Sequence, residues 1–104
     1  MDTKFNNWRK SQYRDNIGFF PLFHNFNIIL QDLSPGACKL YIFLGLHSNY
    51  KTGESFYSLT KISSELDCSP RTISNWMKEL EEKNLVVRKQ KSLNGVSTTY
   101  LLPY

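Results

Sequence analysis

Arg71, Ser74, Asn75 and Lys78 stand at i, i+3, i+4 and i+7, a spacing that places all four on one face of an α-helix. The row carries hydrogen-bond donors and no carboxylate. Such a row suits an acceptor-rich polyanion such as duplex DNA, where Arg pairs bidentately with guanine and Asn with adenine, each pair contributing roughly 1–3 kcal/mol of discrimination. A solvated polar face can hold the same residue types. The flanking sequence therefore decides how much weight the row bears.

The helix start is written twice, by Ser69 as N-cap and Pro70 at the first helical position, where its missing N–H costs nothing. Ile73, Met77 and Leu80 form the apolar stripe opposite the donors. The acids Glu79, Glu81 and Glu82 come late, so the cationic and amide groups share the first turns with the positive end of the helix dipole. Thr72 and the first helical N–H groups are expected to hold a phosphate. Trp76 on the same helix raises a competing use of its surface, since packing around it would shift contact to the C-terminal segment.

The elements that must position this helix follow from similar signals. Ser34-Pro35-Gly36 opens a helix reaching about Asn49, with Ala37, Leu40, Tyr41 and Leu44 at helical spacing. Its other sides, Cys38, Ile42, Phe43 and Leu46, are apolar too and need cover, from the Phe-rich segment before it, from a second protomer, or from both. A homodimer is therefore expected. Ser58 caps a short helix, Leu59 to Asp67, and only Asp67-Cys68-Ser69-Pro70 separates it from the next, the tight connection of a helix-turn-helix, though without the glycine common there. Asn84 can take the left-handed position after the third helix. Leu85–Lys91 and Val96–Leu102 read as strands joined through Asn94-Gly95, a strong hairpin signal.

Two segments precede these elements. Residues 1–18 interleave Lys4, Trp8, Arg9, Lys10, Tyr13 and Arg14 with polar residues and read as a basic, aromatic arm; Phe19–Leu30 reads as an extended lead-in with a short strand. The predicted fold is α+β, mostly α: three helices and a β-hairpin wing in one domain over 19–104, with the arm at 1–18.

Length and charge narrow the function. The 104 residues are 40% apolar and 21% charged, a globular composition, with net charge +4. From Lys83 to Tyr104 there are Lys83, Arg88, Lys89 and Lys91 and no acid, so the wing is the basic end of the molecule. Arg88, Lys89 and Lys91, with Asn94 at the tip, are expected to meet phosphates or a minor groove. Lys39 and Lys61, near the starts of the first two helices, could clamp flanking backbone. Cys38 and Cys68 lack metal-ligand spacing to His24 or His47, so neither metal nor disulfide is expected, and no cofactor. The histidines are isolated, neither Tyr13 nor Tyr100 has a basic cluster beside it, and no glycine-rich phosphate loop occurs; an enzyme is not expected. With no apolar run of spanning length and no signal-peptide pattern, the expected location is the cytoplasm, away from membranes.

Ser34-Pro35-Gly36-Ala37, Thr52-Gly53-Glu54-Ser55-Phe56, Ser69-Pro70-Arg71-Thr72-Ile73-Ser74 and Lys78-Glu79-Leu80-Glu81-Glu82-Lys83-Asn84-Leu85 together resemble the helix-turn-helix domain of plasmid and phage replication initiators and related mobile-element proteins. The resemblance runs from about Phe19 to Tyr104. It implies that Ser69–Ser74 starts a DNA-recognition helix and that the Lys78–Leu85 segment closes it before the wing. It further implies a sequence-specific double-stranded DNA-binding protein of a mobile genetic element. A chain ending after the wing resembles accessory proteins that mark an origin of transfer for a relaxase, with a replication initiator or a repressor as alternatives and a relaxase or replication protein as partner. A protein-interaction module without DNA binding is the competing class, and RNA the weaker nucleic-acid partner.

Overall fold

The computed structural model describes residues 3–90 and 97–104. Five helices and three strands follow in the order α1 (Lys4–Arg14), α2 (Phe26–Leu30), α3 (Pro35–Leu46), β1 (Glu54–Ser55), α4 (Leu59–Leu66), α5 (Pro70–Glu82), β2 (Val86–Gln90) and β3 (Ser97–Leu101). The mostly α winged helix-turn-helix architecture is as expected, with two further helices and with a strand after α3 in place of the one expected within Phe19–Leu30.

Three of the helices start alike. Ser34, Ser58 and Ser69 have extended backbones, and each hydroxyl accepts from the N–H three residues on, at Ala37, Lys61 and Thr72; this satisfies donors that a helix start otherwise leaves open. Two of them end through left-handed residues. Asn84 (φ 59°) follows α5, with its N–H bonded to Glu81 O and that of Leu85 to Leu80 O, the Schellman arrangement. Asp67 (φ 54°, ψ 49°) does the same work after α4. The tight turn before α5 thus needs no glycine, because Asp tolerates the left-handed region better than most residues with a Cβ.

The core lies where α3, α4 and α5 meet the sheet, and Leu40, Leu44, Ile62, Ile73, Leu80 and Leu85 are all sealed within it. α3 is approached closely at both ends. A Cβ on Gly36 would run into the Trp76 indole, and one on Gly45 into the Phe20 ring, so glycine lets α5 and the N-terminal segment sit directly on the helix backbone. The Phe-rich segment therefore covers part of the second face of α3, as expected, while Ile42 and Leu46 stay exposed.

β3 lies between β1 and β2, antiparallel to both. The register pairs Val86 with Leu101, Arg88 with Thr99 and Gln90 with Ser97 on one side, and Glu54 with Tyr100 on the other. β1 is the strand not foreseen in the polar stretch after α3. The Asn49 carboxamide accepts the N–H groups of Lys51 and Thr52, Gly53 turns the chain at φ 73°, and Leu101 donates to Gly53 O at 3.0 Å. Its partner strand is distant in sequence, so local propensity carries no trace of it.

One expectation fails in the N-terminal third, and another segment gains a structure the sequence did not announce. The basic arm holds a helix over residues 4–14: Thr3 caps it through Asn6 N–H, and Asn16 (φ 58°) closes it, with Ile17 N–H bonded to Gln12 O. Over Phe19–Leu30 the strand gives way to α2, because Phe26 stacks on Tyr41 (5.0 Å between centroids, 17° between planes) and meets the edge of Tyr104 at 5.2 Å. Burial in that aromatic cluster outweighs the strand preference of the local sequence. Burial also pushes the Tyr41 phenol up to about 12, with Tyr104 adding to the shift. α3 itself ends at Leu46, a turn short of Asn49, whose side chain is taken by the turn before β1.

Candidate nucleic-acid interface

α5 separates its residues by face. Ile73, Met77 and Leu80 are buried, whereas Arg71, Ser74, Asn75 and Lys78 are all exposed. At 1.5 Å per residue the exposed row runs about 10 Å along the helix, close to the ~12 Å width of a B-DNA major groove. Among the described residues no carboxylate lies within ion-pair distance of Arg71 or Lys78, the ion pairs being Arg14–Asp15 and Lys61–Glu65.

The acids of α5 are directed elsewhere. Glu79 reaches the start of α3, where its carboxylate accepts from Ser34 N–H (2.8 Å) and from the Ser34 hydroxyl (2.7 Å). Those bonds, backbone first and side chain second, hold its carboxyl below the ordinary range; burial opposes them in part, and Lys83 nearby adds a still smaller lowering. Ser34 consequently caps its own helix while anchored to α5. Glu81 stands near enough to Arg88 to favour the charged guanidinium there. Glu79 thus faces α3, Glu81 lies near Arg88 and Glu82 is exposed in the last turn, so the outward face of the first two turns keeps its positive character.

Trp76 does not compete for that face. It is half-buried against Gly36 and the core, so the packing expected around it occurs on the inward side. Thr72 is half-buried beside Ser69, its N–H donating to Ser69 Oγ at 3.1 Å and the two hydroxyls bonded at 2.9 Å. The Thr72 amide is therefore spent on the cap. If Ser69 donates within the hydroxyl pair, the Thr72 O–H remains free to donate outward.

The wing cations part company. Arg88 folds onto its own sheet, its Nη1 donating to Thr99 Oγ1 at 3.0 Å and lying 3.5 Å from Tyr57 O, and burial draws its pKa below the ordinary guanidinium value. It braces β2 against β3 and the segment before α4, a role its alternating position in the strand did not announce. Lys89 points outward with Nζ 5.7 Å from the Tyr100 ring centroid. Lys91 and Asn94 lie outside the described residues. Lys39 is exposed on α3, and Lys61 is exposed with Nζ 3.2 Å from Glu65 Oε1, which leaves Lys61 partly neutralised within its own helix. Unforeseen is the Ser34–Glu79 link; each residue stood in a recognised stretch, but only the packing of α3 on α5 brings them together.

The helix-turn-helix domain family matches residues 31–86, the span from just before α3 to the first residue of β2. The chain belongs to that family. In this helix-turn-helix domain α4 is the first helix, Asp67–Ser69 the turn and α5 the second helix. Solved structures similar to it include the N-terminal domain of a DNA-binding protein (TM-score 0.63, 19% identity, 99% of this chain and 82% of that one). A Rep–DNA complex (0.62, 19%, 99% and 83%) and an MDR initiator (0.58, 23%, 99% and 85%) are similar as well. At these identities the likeness is one of fold, and it extends over α1 and α2 as well as the helix-turn-helix. Comparison with curated proteins returns no match. No helix of the described residues is long and apolar enough to cross a membrane, and among them no group of three His, Cys, Asp or Glu is placed to hold a metal ion.

Proposed function

We propose that this chain binds double-stranded DNA sequence-specifically, as a non-catalytic factor at an origin on a plasmid-type mobile element. The observation that carries the reading is the exposed, acid-free row Arg71, Ser74, Asn75 and Lys78 on the second helix of the helix-turn-helix. Arg71, Ser74 and Asn75, nearest the helix start, meet base edges in the major groove; Lys78, with Thr72 and Lys89, meets phosphates. Lys91 and Asn94 extend the wing contact, Lys39 and Lys61 flank it, and Arg88 supports the wing from within. Two copies bind together, so half-sites fall about one helical turn apart, or as direct repeats if the copies associate head to tail.

The Rep–DNA complex and the initiator among the similar folds favour a replication origin, with a replication protein as partner, over an origin of transfer marked for a relaxase. The test is a fluorescence-anisotropy titration against pooled plasmid-derived duplexes at two salt concentrations. One duplex should stand out from the pool. Arg71→Ala should then remove the preference, by about 5- to 150-fold if one bidentate pair is lost, while Lys89→Ala weakens all sequences alike and lowers the salt slope by about one. No binding above background at low salt would leave a protein-docking role in its place.

A further inference from the structure

α1 poses a physical problem. Its 11 residues are capped at both ends, yet none is buried, and an isolated helix of that length is marginal in water. Phe5 and Trp8 pair at 5.7 Å between ring centroids; at 3.6 residues per turn Lys4 and Arg9 flank that pair, while Lys10 and Arg14 fall on the far side of the helix. Beside this aromatic pair runs a trough of about 380 Å³ lined by Trp8, Tyr13, Ile17, Phe19 and Leu46 among others, with the Arg9 side chain on its wall. Rings continue its wall, with Tyr13 on Phe19 at 5.9 Å and Phe19 on Tyr50 at 5.8 Å.

The exposed side chains of this face, from Phe5 at 65% to Leu46 at 63%, amount to on the order of 700 Å² of apolar surface, at ~150–250 Å² for each fully exposed aromatic. That exceeds the ~300–600 Å² of the largest patch on an ordinary monomer and approaches the ~800 Å² each partner contributes to a standard interface. The face holds both an aromatic ridge and a largely apolar trough, its wall broken by Arg9 and Gln12. A two-fold interface uses the same patch on both copies, so a ridge and a trough side by side can serve as knob and hole at once.

We propose that two copies of this chain pair through this face, the Phe5–Trp8 pair of each α1 seating in the trough of the other, with Lys10 and Arg14 left outward. The proposal rests on the two-copy reading above and gives it a location away from the row on α5. Sedimentation equilibrium on the intact chain tests it, using Phe5→Ala for the ridge, Leu46→Glu for the trough, and Ile28→Glu, exposed but lining neither, as control. The expected result is a wild-type dimer whose dissociation constant rises about tenfold or more in the first two variants and is unchanged in the third. Far-UV circular dichroism should show the α3–α5 core retained in all. A wild-type monomer would overturn the two-copy reading itself. A dimer indifferent to Phe5→Ala and Leu46→Glu would overturn the location alone, leaving pairing to another face.

Discussion

Ser34-Pro35 and Ser69-Pro70 open α3 and α5 by the same device, a serine cap and a proline at the first helical position, yet the helices present opposite surfaces. α3 buries Ala37, Leu40, Tyr41, Phe43, Leu44 and Gly45, leaving little polar surface of its own; α5 buries one stripe of three and exposes a row of donors. The start signal decides where a helix begins and nothing about what it does. Its use is decided by the residues around its circumference and by which neighbours reach it. α3 is the surface on which the domain assembles, and α5 is the element held there, by Trp76 on Gly36 and by Glu79 on Ser34.

If that division holds, damage to α3 should appear as lost stability and damage to the outer row of α5 as lost binding. The largest effect expected is from Leu40→Ala. Leu40 is wholly buried, and truncation of such a residue costs about 2–5 kcal/mol, read as a lowered denaturant midpoint with the slope unchanged. Should Arg71→Ala, on the exposed face, destabilise the fold by a similar amount, α5 would be as structural as α3 and the distinction would fail. Gly36→Ala comes next. The added methyl meets the Trp76 ring, and overpacking of this kind costs about 1–3 kcal/mol. Alanine's better helix propensity, worth up to about 1 kcal/mol, offsets part of that cost. Gly36→Ala combined with Trp76→Phe should recover part of the loss in thermal denaturation, which a purely local backbone effect at Gly36 would not permit.

The smallest effect sharpens the comparison most. Glu79→Gln keeps the shape of the clamp but removes its charge: the amide oxygen can accept from Ser34 N–H and the amide N–H₂ can donate to the Ser34 hydroxyl, so two charge-assisted bonds become neutral ones. The expected cost is about 1 kcal/mol or less, since the group is only partly removed from water. Its pH dependence carries a definite sign. The folded carboxyl is held below its ordinary value, so the stabilisation is fully present above the ordinary carboxylate range and is lost as pH falls through the folded pKa. Wild type and Glu79→Gln should therefore differ in urea midpoint near neutrality and converge in acid. A constant gap down to acid pH would mean that Glu79 acts through packing alone.

Much of this fold was readable along the chain. The caps of α3, α4 and α5 and the apolar stripes of α4 and α5 are local patterns, and so is Asn84 in its left-handed position, because each depends on residues within one or two turns. The row on α5 was readable for the same reason: 3.6-residue periodicity alone places Arg71, Ser74, Asn75 and Lys78 together. Other features were hidden. α1 lacks apolar periodicity, and its composition resembles an unstructured arm. α2 is built from residues that favour strands and becomes helical only where Phe26 enters the cluster of Tyr41 and Tyr104.

The amino-acid order by itself determined where most helices begin, which side of α5 turns outward, and that the C-terminal part of the chain is basic. Tertiary structure decided which of those charges face solvent: Arg88 is bound to Thr99 and drawn partly inside, whereas Lys89, its neighbour, is not. It decided that Glu79 serves Ser34 rather than opposing the cations of its own helix, that β1 exists, and that Phe20 and Trp76 cover the two glycines of α3. Each of these joins residues far apart in sequence. Periodicity and capping act over a few residues, but hydrogen bonds and close packing act on whatever the folded chain brings within a few ångströms.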